Sequence, residues 1–388
     1  MKITEVRVIQ LEYEKDSPKL LRGFALIRVE TDRGIVGYGE ASSSYGHFYP
    51  PIVAAIVDQI LARVLTGEDP LNMDRVLSKM HHYLDGYLGS EGIAAQVISG
   101  IEIALWDIIG KATGQPVCRL LGGYRPAVPL YGTGTTFFEQ TPDWHCHFFD
   151  AAIAHGFKGV KARIGNNPQW DVKLVETVRG YLLAEMKLMV DAFWSYSPDS
   201  AIRLVKELGR FGVFFFEEPL PQYELEGLAK LKAASPVPIA VGERIYSLRG
   251  FKEVVVHRAA DVLQPDATIC GGLLECKKVF ALGEAFDLLV LPHIGGLSAV
   301  GIAANLHLAA SVSSCNLLEY DLSPWQPLRD EMLKDPIFSM DRIRDGLLPV
   351  PDRPGLGIEI DESVFERYPY KGGQVYPDVY KQLGAGRL

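Results

Sequence analysis

The 388-residue chain has no apolar run of about 18 residues and no excess of basic residues, and each absence excludes a class of protein. Without such a run we expect no membrane-spanning segment, and without a charged-then-apolar start we expect no signal peptide. A formal net charge of −9 disfavours nucleic acid as a partner, because phosphate binding requires a basic face. We therefore predict a cytoplasmic protein with neither a membrane nor a nucleic-acid partner.

Cysteine clusters and phosphate-binding glycine loops are also missing. The five cysteines show no CxxC spacing, so buried thiols are expected rather than a zinc site. No GxGxxG or GxxxxGK[ST] motif follows an early strand, which disfavours a doubly wound nucleotide-binding sheet.

What the chain does have is three acidic residues that close three apolar runs. Asp191, Glu217 and Glu243 are separated by equal intervals, since 217 − 191 = 26 and 243 − 217 = 26. A carboxylate at the end of a buried strand is unfavourable unless its charge is compensated. Three of them, one strand–helix unit apart, are predicted to converge on a divalent cation, and an all-oxygen ligand set favours Mg²⁺.

These acidic residues belong to a longer alternation of strands and amphipathic stretches. Eight strands are predicted at 128–132, 159–163, 187–191, 213–217, 239–243, 262–266, 288–293 and 317–320. Eight alternations over about 190 residues predict an α/β fold, a (β/α)8-type barrel of the modified TIM kind.

The remainder of the chain predicts two further parts. Alternating strands and then helical periodicity over residues 1–126 indicate an N-terminal α+β capping domain, with the barrel at 127–345. Residues 346–388 are predicted to return to the cap. The segments 15–24 and 43–50 are candidate lid loops, and Arg22, Tyr45 and His47 are candidate substrate-binding residues from them.

The carboxyl ends of barrel strands form the active-site rim, and titratable residues are concentrated there. Besides the three acidic residues, the predicted rim carries Lys161, Arg163, Asp266, His293 and Glu319. Mg²⁺ bound to a substrate carboxylate would acidify the neighbouring C–H, and a base would then remove that proton. Lys161 and Arg163 on one side and His293 on the other are candidates, with Asp266 fixing the imidazole tautomer.

The sequence resembles the enolase superfamily, mandelate racemase subgroup, over nearly the whole chain. The resemblance is carried by 99–111, Gly114-Gln-Pro116, 120–123, Glu217-Glu-Pro219, Gly242-Glu243, Gln264-Pro-Asp266 and Pro292-His293. It implies a cap over a modified barrel, Mg²⁺ on Asp191, Glu217 and Glu243, and a His293–Asp266 dyad. It also implies that Glu319 hydrogen-bonds the enediolate formed when a proton α to a carboxylate is removed, and that the chain forms a homo-oligomer.

Two departures from the subgroup pattern affect the assignment. Lys161-Ala-Arg163 stands where members often carry Lys-x-Lys, and an arginine that stays protonated is a poor base. His293 is therefore the predicted base and Arg163 an electrostatic partner, which weakens the case for a two-base racemase. Phe193, a fourth candidate substrate-binding residue, stands where many relatives carry asparagine, so a polar substrate contact is predicted to be missing there.

These observations favour dehydration of a sugar acid to a 2-keto-3-deoxy acid by a Mg²⁺-dependent lyase. Racemisation, epimerisation or sugar-lactone cycloisomerisation through the same enediolate is the alternative within the class. A binding protein that kept the fold and lost the chemistry is the alternative from another class.

Overall fold

The computed structural model describes residues 1–16, 19–43, 49–134 and 141–372. Its first sheet is antiparallel and consists of β1 (Ile3–Asp16), β2 (Lys19–Thr31) and β3 (Val36–Ala41) in that order. The β1–β2 ladder continues from Ile3 opposite Thr31 to Asp16 opposite Lys19. The prediction of a loop over 15–24 is therefore corrected. Most of that segment is strand, because β1 and β2 satisfy each other's backbone N–H and C=O groups.

Five helices follow this sheet in the chain and complete the cap. They are α1 (Pro50–Ile56), α2 (Ala62–Leu65), α3 (Met73–Leu88), α4 (Ile93–Thr113) and α5 (Val117–Leu120), with a π turn at Val57–Leu61. Helix α4 lies so close to β3 that a Cβ on Gly39 would sit 1.8 Å from the carbonyl oxygen of Gly100. Glycine is required at this contact, since any side chain would separate the helix from the sheet.

Helix α4 is the one described helix long and apolar enough to cross a membrane by length and composition. Its apolar 18-residue window is 83% buried inside the protein. Burial between the cap sheet and the barrel therefore accounts for its composition.

Eight parallel strands form the second sheet. They are β4 (Ala127–Thr133), β5 (Gly159–Arg163), β6 (Lys187–Asp191), β7 (Val213–Glu217), β8 (Ile239–Val241), β9 (Val262–Leu263), β10 (Leu289–Val290) and β11 (Leu318–Asp321). All eight predicted strands are present. The sixth and seventh predicted strands are shorter than expected, because Pro265 and Pro292 follow β9 and β10 and have no N–H for a ladder.

The strand order is β10-β9-β8-β7-β6-β5-β4-β11, which is the cyclic order of a barrel with β11 returning beside β4. Between β10 and β11 a side chain bridges the ends, since Ile294 N donates to Glu319 Oε2 over 2.8 Å. The interior cluster draws on both sides of this junction: Tyr131, Met189, Phe215, Ala240, Val262, Leu291 and Leu317. The sheet thus curls around one packed interior, as the predicted barrel requires.

Helices connect the strands and form the outer layer. They are α6 (Pro142–Phe148), α7 (Asp150–Ala154), α8 (Pro168–Tyr181), α9 (Pro198–Leu208), α10 (Leu225–Ala234), α11 (Ser247–Val256), α12 (Leu273–Ala285), α13 (Ala299–Ala310), α14 (Pro327–Asp330) and α15 (Val364–Arg367). Side chains of Thr141, Asn167, Ser197 and Ser298 accept N–H hydrogen bonds at helix starts. These caps set where each helix leaves its strand–helix loop.

The C-terminal residues contact both parts of the molecule. Strand β12 (Leu347–Pro349) pairs antiparallel with β4 of the barrel. Further on, Tyr368 O accepts from Glu12 N over 3.0 Å, and Tyr370 N donates to Gln10 O over 3.1 Å. The division of the chain after residues 126 and 345 stays a prediction.

Candidate active site

Three buried carboxylates meet at the carboxyl ends of neighbouring strands. Asp191 ends β6, Glu217 ends β7, and Glu243 lies two residues beyond β8. One oxygen from each lies within 4.8 Å of the others, and no side chain of the three is more than 2% exposed. The 26-residue spacing seen in the sequence therefore corresponds to three adjacent βα units that place their terminal carboxylates together.

Two cations from β5 lie against these carboxylates. Lys161 Nζ is 2.6 Å from Glu217 Oε1, 2.7 Å from Glu319 Oε1 and 3.7 Å from Asp191 Oδ2. Arg163 pairs with Asp191, its register partner across the β5–β6 ladder. Burial alone would lower the pKa of Lys161, but Glu217 and Glu319 raise it well above its ordinary value. Lys161 is accordingly a charged group at this position, which suits binding of an anion.

His293 and Asp266 lie on the other side of the carboxylates. His293 Nδ1 is 3.0 Å from Asp266 Oδ2, and His293 Nε2 is 3.2 Å from Glu243 Oε2. Since an ionised carboxylate only accepts hydrogen bonds, both ring nitrogens carry protons in this arrangement: Nδ1–H faces Asp266 and Nε2–H faces Glu243. Burial lowers the pKa of His293, but Glu243, Glu319 and the bond to Asp266 together raise it well above the usual value.

The charge balance of the cluster favours a bound cation. Burial raises the pKa of Glu217 well above normal; Lys161 opposes this rise, and Asp191, Glu319 and Glu243 add to it. Burial would also raise the pKa of Glu243, but Arg244 and His293 hold it well below its usual range. Three buried carboxylates with only oxygen donors are the ligand type that Mg²⁺ prefers, so the residues fit this ion.

Three polar residues of this rim were not predicted as site residues. Gln264 Nε2 donates to Glu217 Oε2 over 2.6 Å, and Arg244 pairs with both Glu218 and Glu243. Burial raises the pKa of Glu218 to about 8, although Arg244 opposes the shift. Each of the three lies within two residues of a predicted site residue. A search for polar residues next to the predicted strand ends would therefore have found them.

Phe193 takes part in an aromatic stack, and its backbone N donates to Asp191 Oδ1 over 2.9 Å. It follows β6 with a φ of 45°, stacks on Trp194 at 5.5 Å, and Arg244 lies 4.4 Å from both ring centroids. The guanidinium of Arg163 is 5.5 Å from the Phe193 ring. The missing polar substrate contact at position 193 stays a prediction.

Of the three cap residues predicted to bind substrate, the structure describes Arg22 alone. Arg22 is buried, and its Nη1 donates to Gly296 O over 3.2 Å, in the loop that follows His293. Arg22 thus contacts the histidine loop. Tyr45 and His47 lie outside the described residues.

The sequence matches two family descriptions that together span most of the chain. Residues 21–122 match "Mandelate racemase / muconate lactonizing enzyme, N-terminal domain", and residues 147–364 match "Enolase C-terminal domain-like".

Named relatives cover nearly the full length. The chain is 32% identical over 386 residues to D-galactarolactone cycloisomerase of Agrobacterium fabrum, covering 95% of this chain and 99% of that protein. It is 35% identical over 354 residues to arabinonate dehydratase of Saccharolobus solfataricus, covering 88% and 90%.

Solved structures agree with this similarity. A racemase from Streptomyces coelicolor A3(2) with bound magnesium is 29% identical and superposes with a TM-score of 0.81, covering 94% of this chain and 99% of that one. The 3,6-anhydro-D-galactonate cycloisomerase from Zobellia galactanivorans is 28% identical with a TM-score of 0.86, covering 95% and 99%. The chain therefore belongs to the mandelate racemase / muconate lactonizing enzyme family of the enolase superfamily.

Proposed function

We propose that this protein is a Mg²⁺-dependent lyase that dehydrates a sugar acid to a 2-keto-3-deoxy acid. The observation that carries the proposal is the buried triad Asp191, Glu217 and Glu243, flanked by Lys161 on one side and His293 on the other. Several relatives are dehydratases of arabinonate, galactonate, xylonate or gluconate, which favours this chemistry.

Asp191, Glu217 and Glu243 would hold the ion. Bound Mg²⁺ would neutralise the substrate carboxylate and thereby make the adjacent C–H more acidic. Lys161 and Arg163, already positive at this rim, would bind the same carboxylate end.

With the charge of Glu243 engaged by the ion, His293 Nε2 would lose its proton and become able to accept the α-proton. Asp266 would hold Nδ1–H and stabilise the imidazolium. His293 would then return that proton to the departing β-hydroxyl, which leaves as water. The enol product tautomerises to the 2-keto acid, so no oxidant or reductant is needed. Lys161 Nζ, 2.7 Å from Glu319 Oε1, would donate a hydrogen bond to the oxygen that gains charge, and Glu319 would hold Lys161 in position for it.

Cycloisomerisation of a sugar lactone or anhydro sugar acid is the second candidate. It is favoured by the full-length similarity to a galactarolactone cycloisomerase and by a relative that acts as 3,6-anhydro-α-L-galactonate cycloisomerase. Both reactions begin with loss of a proton next to a carboxylate or lactone carbonyl. The residues proposed to hold the ion and to accept the proton would therefore have the same roles in either reaction. We further propose a cytoplasmic homo-oligomer with a small carboxylate as its partner.

The test is a screen of aldonates, aldarates, aldarolactones and anhydrogalactonates with purified protein and Mg²⁺. A 2-keto product trapped with semicarbazide identifies a dehydratase, and loss of lactone without a keto product identifies a cycloisomerase. Deuterium in recovered substrate from D₂O would favour a racemase or epimerase. Failure to transform any of them with saturating Mg²⁺ would reject the enzymatic reading in favour of a binding protein.

The variant His293→Asn gives the matched control for that screen. It keeps a side chain able to hydrogen-bond Asp266 but has no base, so turnover is expected to fall by about 10²- to 10⁴-fold. Mg²⁺ affinity, measured by calorimetry, is expected to stay within a few-fold, since His293 is not one of the three ligands. Turnover equal to wild type would remove His293 from the role of base.

A further inference from the structure

The two oxygens of Asp266 have separate partners. Oδ2 meets His293 Nδ1, whereas Oδ1 accepts from Thr268 N at 2.8 Å, Thr268 Oγ1 at 2.7 Å and Asn305 Nδ2 at 3.1 Å. A carboxylate held by three donors on one oxygen cannot rotate freely. Its other oxygen therefore stays directed at the imidazole.

Asn305 is a fully buried amide on helix α13. Helix α13 is buried at all of its residues, and Asn305 is 0% exposed. Its Oδ1 accepts from Ala267 N over 3.0 Å, and its Nδ2 also donates to Gly301 O over 3.2 Å. A buried amide is unfavourable unless its hydrogen bonds are made. The hydrogen bonds that Asn305 makes outside its own helix are with Asp266 and Ala267, in the loop that follows β9. The amide therefore fixes that loop against α13.

The cap in turn sets the position of α13. At the end of β3, Glu40 Oε2 accepts from Ser298 N at 3.1 Å, from Ser298 Oγ at 2.5 Å and from Gly301 N at 3.0 Å. Two residues later, Ser42 N donates to Thr268 O over 3.1 Å. One cap strand thus contacts both the start of α13 and the loop that follows Asp266.

We propose that Asn305 is a positioning residue for the His293–Asp266 pair and that Glu40 of the cap determines where Asn305 lies. The inference rests on the proposed role of His293 as base. It adds a hydrogen-bonded path from the cap to the proton-transfer group: Glu40 to Gly301, Gly301 to Asn305, Asn305 to Asp266, and Asp266 to His293. Docking of the cap thereby becomes part of how the base is oriented.

The first test needs no substrate. In Mg²⁺-saturated protein labelled with ¹⁵N-histidine, the Nδ1–H proton of His293 is identified by its loss in His293→Asn. In Asn305→Leu, we expect this proton to move upfield and to exchange with solvent at least about tenfold faster, since Asp266 is less restrained. Ser311→Ala removes a buried hydroxyl at the C-terminal end of the same helix, where Ser311 Oγ donates to Leu308 O, and should leave the resonance unchanged.

An unchanged His293 resonance in Asn305→Leu would overturn the proposal whether or not a substrate is known. If the leucine variant does not fold, the same His293 resonance is measured in Asn305→Ala, which leaves a small cavity. An unchanged resonance there would overturn the proposal equally. Absence of turnover in every sugar-acid assay would instead count against the proposed function.

The second test uses the substrate found by the screen. Asn305→Leu is expected to lower kcat about tenfold with KM changed less than threefold, and Glu40→Gln to lower kcat by a smaller factor. Because Glu40 acts through Asn305, the double variant should be no slower than Asn305→Leu alone. Multiplicative effects would overturn the role of Glu40, and a rise in KM with unchanged kcat would overturn that of Asn305.

Discussion

Buried glutamates occur in two regions of this protein, and each region neutralises them differently. At the barrel rim, Glu217 and Glu243 face full charges: Lys161, Arg244 and His293. Where cap and barrel meet, Glu40 and Glu102 face neutral donors. Glu102 accepts from Leu273 N at 2.8 Å, Leu274 N at 3.0 Å and Trp106 Nε1 at 2.8 Å.

The comparison separates buried charge at the proposed catalytic site from buried charge that joins the cap to the barrel. Glu40 and Glu102 lie at the starts of α13 and α12, where free backbone N–H groups attract an acceptor. Burial raises the pKa of each to about 7, and the surrounding hydrogen bonds oppose that rise. At the rim the carboxylates instead crowd together, an arrangement that only a cation makes favourable.

The largest expected effect is at the rim. Glu217→Gln removes a ligand charge and leaves Lys161 with fewer carboxylates, so we expect Mg²⁺ affinity to fall at least about 100-fold and turnover with it. Calorimetry of Mg²⁺ binding measures the change without a substrate. The exposed Glu226→Gln is the control. Unchanged affinity would mean that Glu217 belongs with the structural glutamates instead.

Glu102→Gln tests the structural region through pH. The folded-state pKa of about 7 exceeds the ordinary 4.5, so the folded state binds more protons between these values. Stability therefore falls as pH rises through this window, by on the order of 2 kcal/mol between pH 5 and pH 8 for one such group. In urea unfolding, the free energy of unfolding of Glu102→Gln should fall less between pH 5 and pH 8 than that of the wild type. This difference is expected whatever the absolute stability of the variant. A pH dependence identical to that of wild type would contradict the raised pKa of Glu102.

Arg163→Lys is expected to have the smallest effect. Lysine keeps the positive charge beside Asp191 but loses the planar guanidinium that lies near Phe193, so kcat/KM should fall about tenfold. Arg210→Lys, at an exposed pair with Glu207, is the control and should change nothing. A fall beyond a thousandfold would make Arg163 a participant in the reaction rather than an electrostatic partner.

Much of the barrel and its rim could be predicted because both follow from repetition. A regular strand–helix period places each strand end at the same edge of the sheet, so Asp191 and Glu217 were recognised from position alone. The hairpin of β1 and β2 was underestimated because its pairing extends beyond the alternating apolar residues. Arg244 and Gln264 were missed because the pattern identifies strand ends but not which neighbouring polar side chains turn inward.

The sequence by itself determined the eight-strand alternation, the acidic triad and the pairing of His293 with Asp266 on adjacent strands, because these depend on periods of a few residues to one βα unit. Only the tertiary structure decided which donors satisfy Glu40, Glu102 and the amide of Asn305. The Glu40–Ser298 contact joins residues 258 positions apart, and the Glu102–Leu273 contact joins residues 171 apart. No local pattern encodes such partners, since the docking of cap on barrel brings them within hydrogen-bonding distance.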